Sequence, residues 1–248
     1  MPGRNEQSGV CTDAEWKGRP DCALCGIRRV MLFSGLPASG FEHLLRPIDN
    51  FVYRPGSTIY QEGAQGRAVF SIRRGLVKLL YRTPDGSQRI VRLLGKGAVA
   101  GLELLDEGVT YHHTAVTVQE VDLCTIPVAT LKDLEAQHPE LCDRVRQQLQ
   151  YQVDRADHWI RALNTGIART RIAQLLLLLA EIAADRNGDI QLLPRDDMAA
   201  VVGVTTETAS RVIADFKRRN VIYKVAANTY RIEPAKLREF GTQEQHTD

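Results

Sequence analysis

The chain has 248 residues, of which 44% are hydrophobic and 25% charged, with a net charge of +2. This composition excludes a disordered, fibrous or disulfide-stapled chain and fits a globular protein of two domains with a sizeable core. No apolar run reaches membrane-spanning length; the longest candidate, 175–179 with its flanks, lies inside a helical pattern. The polar N-terminus lacks the apolar middle of a secretory signal, so the reading is a cytoplasmic protein with no membrane partner. Five cysteines, Cys11, Cys22, Cys25, Cys124 and Cys142, are an odd number. In a reducing compartment they are expected as apolar fillers, metal ligands or redox sensors, not as disulfides.

Residues 1–21 are rich in polar residues and glycine and read as irregular; 1–35 form an N-terminal segment carrying three of the cysteines. A short helix is expected to begin near Gly40, where Phe41, Leu44, Leu45 and Ile48 recur at helical spacing. Over 36–137 the pattern turns to short β-type runs separated by turn signals. The runs are 58–60, 68–72, 77–81, 89–94, 115–118 and 123–126, with Gly63, Gly75, Pro84-Asp85-Gly86, Gly95 and Gly97 between them. Even spacing of many short strands predicts an antiparallel jelly roll. The fold class read from the whole chain is α+β: this roll, a long helix, then a helical C-terminal domain.

The long helix is expected over 138–167, with Pro139 in its first turn. Val145, Leu149, Val153, Ala156, Ile160, Leu163 and Ile167 recur in steps of three and four, close to a 3.5-residue repeat. That narrow stripe predicts a coiled-coil seam between two copies, against the alternative of one helix packed on its own domain. Cys142, at its start, is expected to pack as a small apolar residue. A second helix over 169–184 carries the leucine run and should be core. The C-terminal domain is placed at 168–240 and a polar tail at 241–248.

Within it the segment 195–216 is the most informative stretch. Met198, Val201 and Val202 are apolar at helical spacing, Gly203 sits where a tight turn needs positive φ, and Thr205 can cap a new helix with Thr208 in its first turn. Val212, Ile213 and Phe216 supply the buried face of that helix, and Thr206, Glu207, Ser210 and Arg211 stand opposite. Arg binds guanine in bidentate fashion, Glu accepts from cytosine and Ser reaches bases or phosphate. Residues 205–238 hold eight basic and three acidic side chains, a local excess suited to phosphate contact, with Lys217 and Arg218 at the end of the reading helix. Runs at 221–225 and 229–232 form an expected hairpin wing. The alternative is a helical hairpin with a solvated charged face.

The glycine-punctuated roll with Gly56, Gly63, Gly75, Gly86 and Gly97, the Cys124-Thr-Ile-Pro127 end of the roll, the long helix and the 203–211 motif together resemble the CRP/FNR superfamily of bacterial transcription factors. The resemblance covers roughly 22–240. Glu207, Ser210 and Arg211 look like the triplet with which the FNR branch reads a TTGAT-type half-site. It implies a homodimer on palindromic double-stranded DNA, with Thr205, Thr206, Thr208, Lys217 and Arg218 joining the contact, and Val145, Leu149, Val153, Ala156, Ile160 and Leu163 at the dimer interface. It also implies RNA polymerase as a partner, touched by the hairpin at 83–88.

Three readings of the sensor compete. The cyclic-nucleotide pattern of the superfamily places Glu and Arg where this chain has Leu102 and His113, so a phosphate there loses its bidentate partner and this ligand is disfavoured. An iron–sulfur cluster of 4Fe-4S type is the favoured reading: Cys22 and Cys25 form a close pair, and Cys124 falls where the oxygen-sensing branch places its distant ligand. The branch's further cysteine after the pair is missing, and Cys11 is the candidate replacement. Haem or another effector is the third; His112 and His113 are adjacent, which on a strand points them to opposite faces. An enzyme of the metal-binding jelly-roll kind needs clustered His and Glu, and neither that, a nucleophile motif nor a phosphate loop is present. A sensor that binds partners instead of DNA is the other alternative.

Overall fold

The computed structural model describes residues 14–20, 47–86, 88–106 and 108–242. Cys11, Cys22, Cys25 and the helix expected near Gly40 lie outside the described residues. The chain divides into two compact units, Met1–Val153 and Asp154–Asp248.

The first unit is a strand roll. Its strands are β1 (Ala14–Trp16), β2 (Asp49–Tyr53), β3 (Thr58–Tyr60), β4 (Ala68–Arg74), β5 (Val77–Arg82), β6 (Gln88–Leu94), β7 (Val99–Ala100), β8 (Thr114–Thr117) and β9 (Val121–Pro127). They form two antiparallel sheets, β1-β2-β9-β4-β7 and β3-β8-β5-β6. Alternate side chains on β4 and β9 face opposite ways. Phe70, Ile72 and Leu123 join Tyr53, Ile59, Val77 and Leu79 in one core cluster. Val69, Cys124 and Ile126 join a second, completed by Leu131 and Leu134 of helix α1 (Val128–Gln137) and by Leu141 and Val145 of helix α2 (Glu140–Asn164). The turn between β4 and β5 requires glycine: at Gly75, φ is 98° and a Cβ would lie 2.3 Å from the Glu120 carbonyl oxygen.

The second unit holds α3 (Ala168–Ala183), β10 (Ile190–Gln191), α4 (Arg195–Val202), α5 (Thr206–Arg218), β11 (Ile222–Ala226), β12 (Thr229–Ile232) and α6 (Pro234–Thr242). Leu175, Leu176, Leu178 and Leu179 are all buried, as the apolar run predicts, with Met198, Val202, Ile213, Phe216 and Leu237. The strands pair antiparallel in the order β10-β12-β11.

Several elements depart from the sequence reading. The long helix starts at Glu140, not at 138, and α1 precedes it. His138 takes φ −133°, ψ 83° as the residue before Pro139, which disfavours helical geometry at its predecessor, so one helical stretch becomes two. The helix stops at Asn164, and Gly166 follows with φ 81°. Ile167 therefore leaves the expected seam and precedes α3. Val145 and Leu163 are buried within the chain itself, while Leu149, Val153 and Ile160 are 47%, 55% and 59% exposed. The outward apolar stripe is thus shorter than the repeat suggested, with half-buried Ala156 inside it. Cys142 is exposed and not packed: it follows buried Leu141, about 100° further round the helix. The region read as irregular contains β1, whose Ala14 and Trp16 pair with Tyr53 and Phe51.

Candidate nucleic-acid interface

The reading element is assembled from local chemistry. Gly203 ends α4 in the left-handed region, φ 65° and ψ 47°, and the Val204 amide donates back to the Ala199 carbonyl. Thr205 caps α5, its hydroxyl accepting from the Thr208 amide at 3.2 Å. Ala209, Ile213 and Phe216 bury one face of α5. Glu207, Ser210 and Arg211, at i, i+3 and i+4, stand exposed on the other. The Thr206 hydroxyl donates to Asp196 at 2.7 Å and so pins α5 to the first turn of α4. Half-buried Thr208 stands beside the Thr205 hydroxyl and the Arg211 guanidinium.

The cations at the end of α5 are differently engaged. Lys217 donates to the Tyr230 hydroxyl at 2.9 Å and lies 4.6 Å from the ring centre. Arg218 pairs with Asp215 at 3.2 Å, as do Arg219 at 3.0 Å and Arg169 at 3.5 Å. Asp215 is the residue that sequence reasoning passed over, although its spacing to Arg218 and Arg219, i+3 and i+4, is a local helical signal. Arg171 was also missed; from α3 it donates to the Val202 carbonyl at 2.8 Å, supporting the end of α4. That hydrogen bond joins positions 31 apart and carries no local signature.

The wing, β11 and β12, turns at Asn228, whose φ is 54°. Its side-chain amide donates to the Leu192 carbonyl at 3.1 Å, and the Leu192 amide donates to the Asn228 carbonyl, tying the turn to the segment before α4. Tyr230 is held below the ordinary phenol value, first by the Lys217 hydrogen bond. Burial lowers Arg195 from the ordinary guanidinium value.

In the roll, Gly101 is left-handed, Leu102 turns into the core, and the Glu103 carboxylate accepts from the His112 amide at 3.2 Å. His113 is half-buried; burial, then the Arg92 guanidinium, hold it below the ordinary imidazole value. Tyr60 and Tyr111 stack at 3.9 Å inside the roll, and burial pushes both phenols up. His112 and His113 lie just before β8 with their ring centres 6.5 Å apart. Cys124 is 1% exposed. Among the described residues no three His, Cys, Asp or Glu side chains gather as a metal site, and no helix is long and apolar enough to cross a membrane.

A strand roll, a long helix and a winged helix-turn-helix define a class: DNA-binding transcription regulators with a ligand-type roll. Comparison with known proteins agrees. Residues 51–138 match the cyclic nucleotide-binding domain and residues 170–240 the Crp-like helix-turn-helix domain. The transcriptional regulator LdrP of Thermus thermophilus is 32% identical over 189 residues, covering 75% of this chain and 93% of that protein. The fumarate and nitrate reduction regulatory protein of Escherichia coli is 25% identical over 230 residues, 88% of this chain and 86% of that one. The crystal structure of a CRP-family transcriptional regulator, also from Thermus thermophilus, superposes with a TM-score of 0.64 at 28% identity, covering 77% and 95% of the two chains. The chain belongs to the CRP/FNR superfamily. It is a DNA-binding transcription regulator and not an enzyme, and regulators of this family work as dimers.

Proposed function

We propose that the protein is a homodimer, acting in the cytoplasm, that reads a palindromic site through Glu207, Ser210 and Arg211, with Thr205, Thr206, Thr208, Lys217 and Arg218 around them. One observation carries this reading: the three side chains share an exposed face of α5 whose opposite face is buried. In this reading 36–137 sense, 138–167 dimerise and 168–240 read DNA. The exposed apolar stripe Leu149, Val153 and Ile160, with Ala156, supports a two-fold contact along α2, and a two-fold dimer sets paired reading helices into successive major grooves. The Pro84-Asp85-Gly86 turn between β5 and β6 is the surface offered to RNA polymerase. A gel shift with a palindromic duplex tests the reader: Arg211→Ala abolishes sequence preference, and undiminished preference overturns the assignment.

The signal in this reading is redox state or oxygen, through a cysteine-ligated 4Fe-4S cluster at Cys11, Cys22, Cys25 and Cys124. Its support is the place of Cys124, which shares an apolar cluster with Leu141 and Val145 at the start of α2, so a change at its sulfur bears directly on that helix. The described residues do not by themselves complete the group: of the four cysteines they hold Cys124, with Cys11, Cys22 and Cys25 outside them, and no three His, Cys, Asp or Glu side chains gather there as a metal site. Strictly anaerobic purification followed by visible absorption and iron and sulfide assays tests the cluster; colourless, iron-free protein overturns it.

A further inference from the structure

Several cations of the second unit are committed to carboxylates. Arg169, Arg218 and Arg219 converge on Asp215, and Arg231 makes a two-point pair with Asp189 at 2.8 and 3.0 Å. Arg195, Lys217 and Lys224 form no ion pair among the described residues. They come from three elements, the first turn of α4, the end of α5 and the middle of β11, yet they gather at one side chain. Lys217 donates to the Tyr230 hydroxyl, Lys224 is the cross-strand partner of Tyr230, and Arg195 lies within electrostatic reach of the same oxygen. Asp196, beside Arg195 in the chain, turns to Thr206 instead.

Three uncompensated positive charges around one hydroxyl repel one another and attract an anion. Because the Tyr230 oxygen accepts from Lys217, its own O–H stays available as a donor. The cluster is continuous with the reading helix. Lys217 follows Ser210 by two helical turns, on the same face and about 10 Å further along the axis. The paired bonds between Asn228 and Leu192 hold the wing turn against the segment that leads into Arg195.

We propose that Arg195, Lys217, Lys224 and the Tyr230 hydroxyl form a seat for a backbone phosphate of the bound duplex, beside the bases read by α5. This rests on the DNA-reading proposal above. The arginines committed to Asp215, Arg218 included, contribute less, because each must first leave a carboxylate.

The test uses the full-length protein and fluorescence anisotropy, with a palindromic duplex selected from a random pool and a scrambled duplex of equal length. Affinity is measured across about 50 to 200 mM salt, where each phosphate that is no longer neutralised lowers the log–log slope by about 0.9. Arg195→Gln, Lys217→Gln and Lys224→Gln should each weaken binding to both duplexes alike, and the triple variant, which leaves that one phosphate unneutralised, should flatten the slope by about 0.9. The charge-preserving set Arg195→Lys, Lys217→Arg, Lys224→Arg should keep the slope, with thermal melting confirming that each variant is folded. A wild-type slope in the triple glutamine variant overturns the seat. Arg211→Ala separates the two claims. If it leaves preference for the palindrome intact while the triple glutamine variant flattens the slope, the base reader is misassigned and the seat stands. If the wild-type protein binds neither duplex, both fail.

Discussion

Replacing Gly203 by alanine probes the turn on which the reading element depends. Gly203 holds φ 65° and ψ 47°, and a Cβ built there meets nothing nearer than the Arg171 Nη1 atom, at 3.7 Å. That distance is ordinary van der Waals contact, so overpacking contributes nothing. The remaining cost is that of an L-residue in the left-handed region, about 1–2 kcal/mol. Alanine also narrows the unfolded ensemble, which offsets about 0.4–1 kcal/mol of that strain. The net expectation is a loss of up to roughly 1.6 kcal/mol, set by backbone strain alone. Asparagine, which tolerates the left-handed region better, should cost less than alanine. The assay is urea unfolding followed by circular dichroism, where a shifted midpoint at unchanged slope reports stability. Affinity for the palindromic duplex, measured well below the transition, should stay within a few-fold of wild type. Stability raised above wild type in Gly203→Ala would refute the need for a left-handed residue. A loss beyond about 4 kcal/mol would refute the reading that space is open, since losses of that size belong to packing or burial failures.

Three further outcomes follow from the same structure. Leu149→Glu with Val153→Glu places two like charges on the exposed stripe of α2 and should convert the dimer to monomer in light scattering, with the monomer still folded; a persisting dimer sinks the stripe as the interface. Asp215→Asn frees Arg169, Arg218 and Arg219 and should steepen the salt dependence of DNA binding, whereas an unchanged slope shows that those arginines reach no phosphate. His113 is held below the ordinary imidazole value, chiefly by burial, so on acidification the unfolded chain takes up the proton first. The stability is present above about pH 6.5 and is lost as pH falls below it. His113→Gln should therefore melt with a smaller drop in Tm between about pH 7.5 and 5.5 than wild type, and an equal drop removes His113 from the account.

Much of the reading element was legible because its signals are local. The Gly203 turn, the Thr205 cap and the inward-facing Ile213 and Phe216 are all set within one or two helical turns, and the structure keeps each of them, while Ala209 is buried on that face where the reading had placed half-buried Val212. The strand runs were legible for the same reason, since alternation and turn glycines act over a few residues. The missed elements include the local helices α1 and α6, of ten and nine residues, and short strands that depend on distant partners. β1 and β10 are three and two residues long and exist through pairing with β2 and β12. The cysteine set is divided: Cys124 has a place in the roll, and Cys11, Cys22 and Cys25 fall outside the described residues.

The α2 repeat shows where sequence alone stops. Periodicity determined that Val145, Leu149, Val153, Ala156, Ile160 and Leu163 share one stripe of a helix. It could not say which of them the chain's own cores would claim. The tertiary structure decided that: Val145 packs with Leu131 and Cys124 and Leu163 is buried, while Leu149, Val153 and Ile160 remain outside. The same holds for charge. Composition determined a basic excess in 205–238, but only folding decided that Arg231 meets Asp189 while Lys217 and Lys224 meet a phenol. The physical reason is common to both cases. A helical or strand period fixes the direction of a side chain relative to its own backbone, and its partner in space is fixed by contacts between segments far apart in the chain.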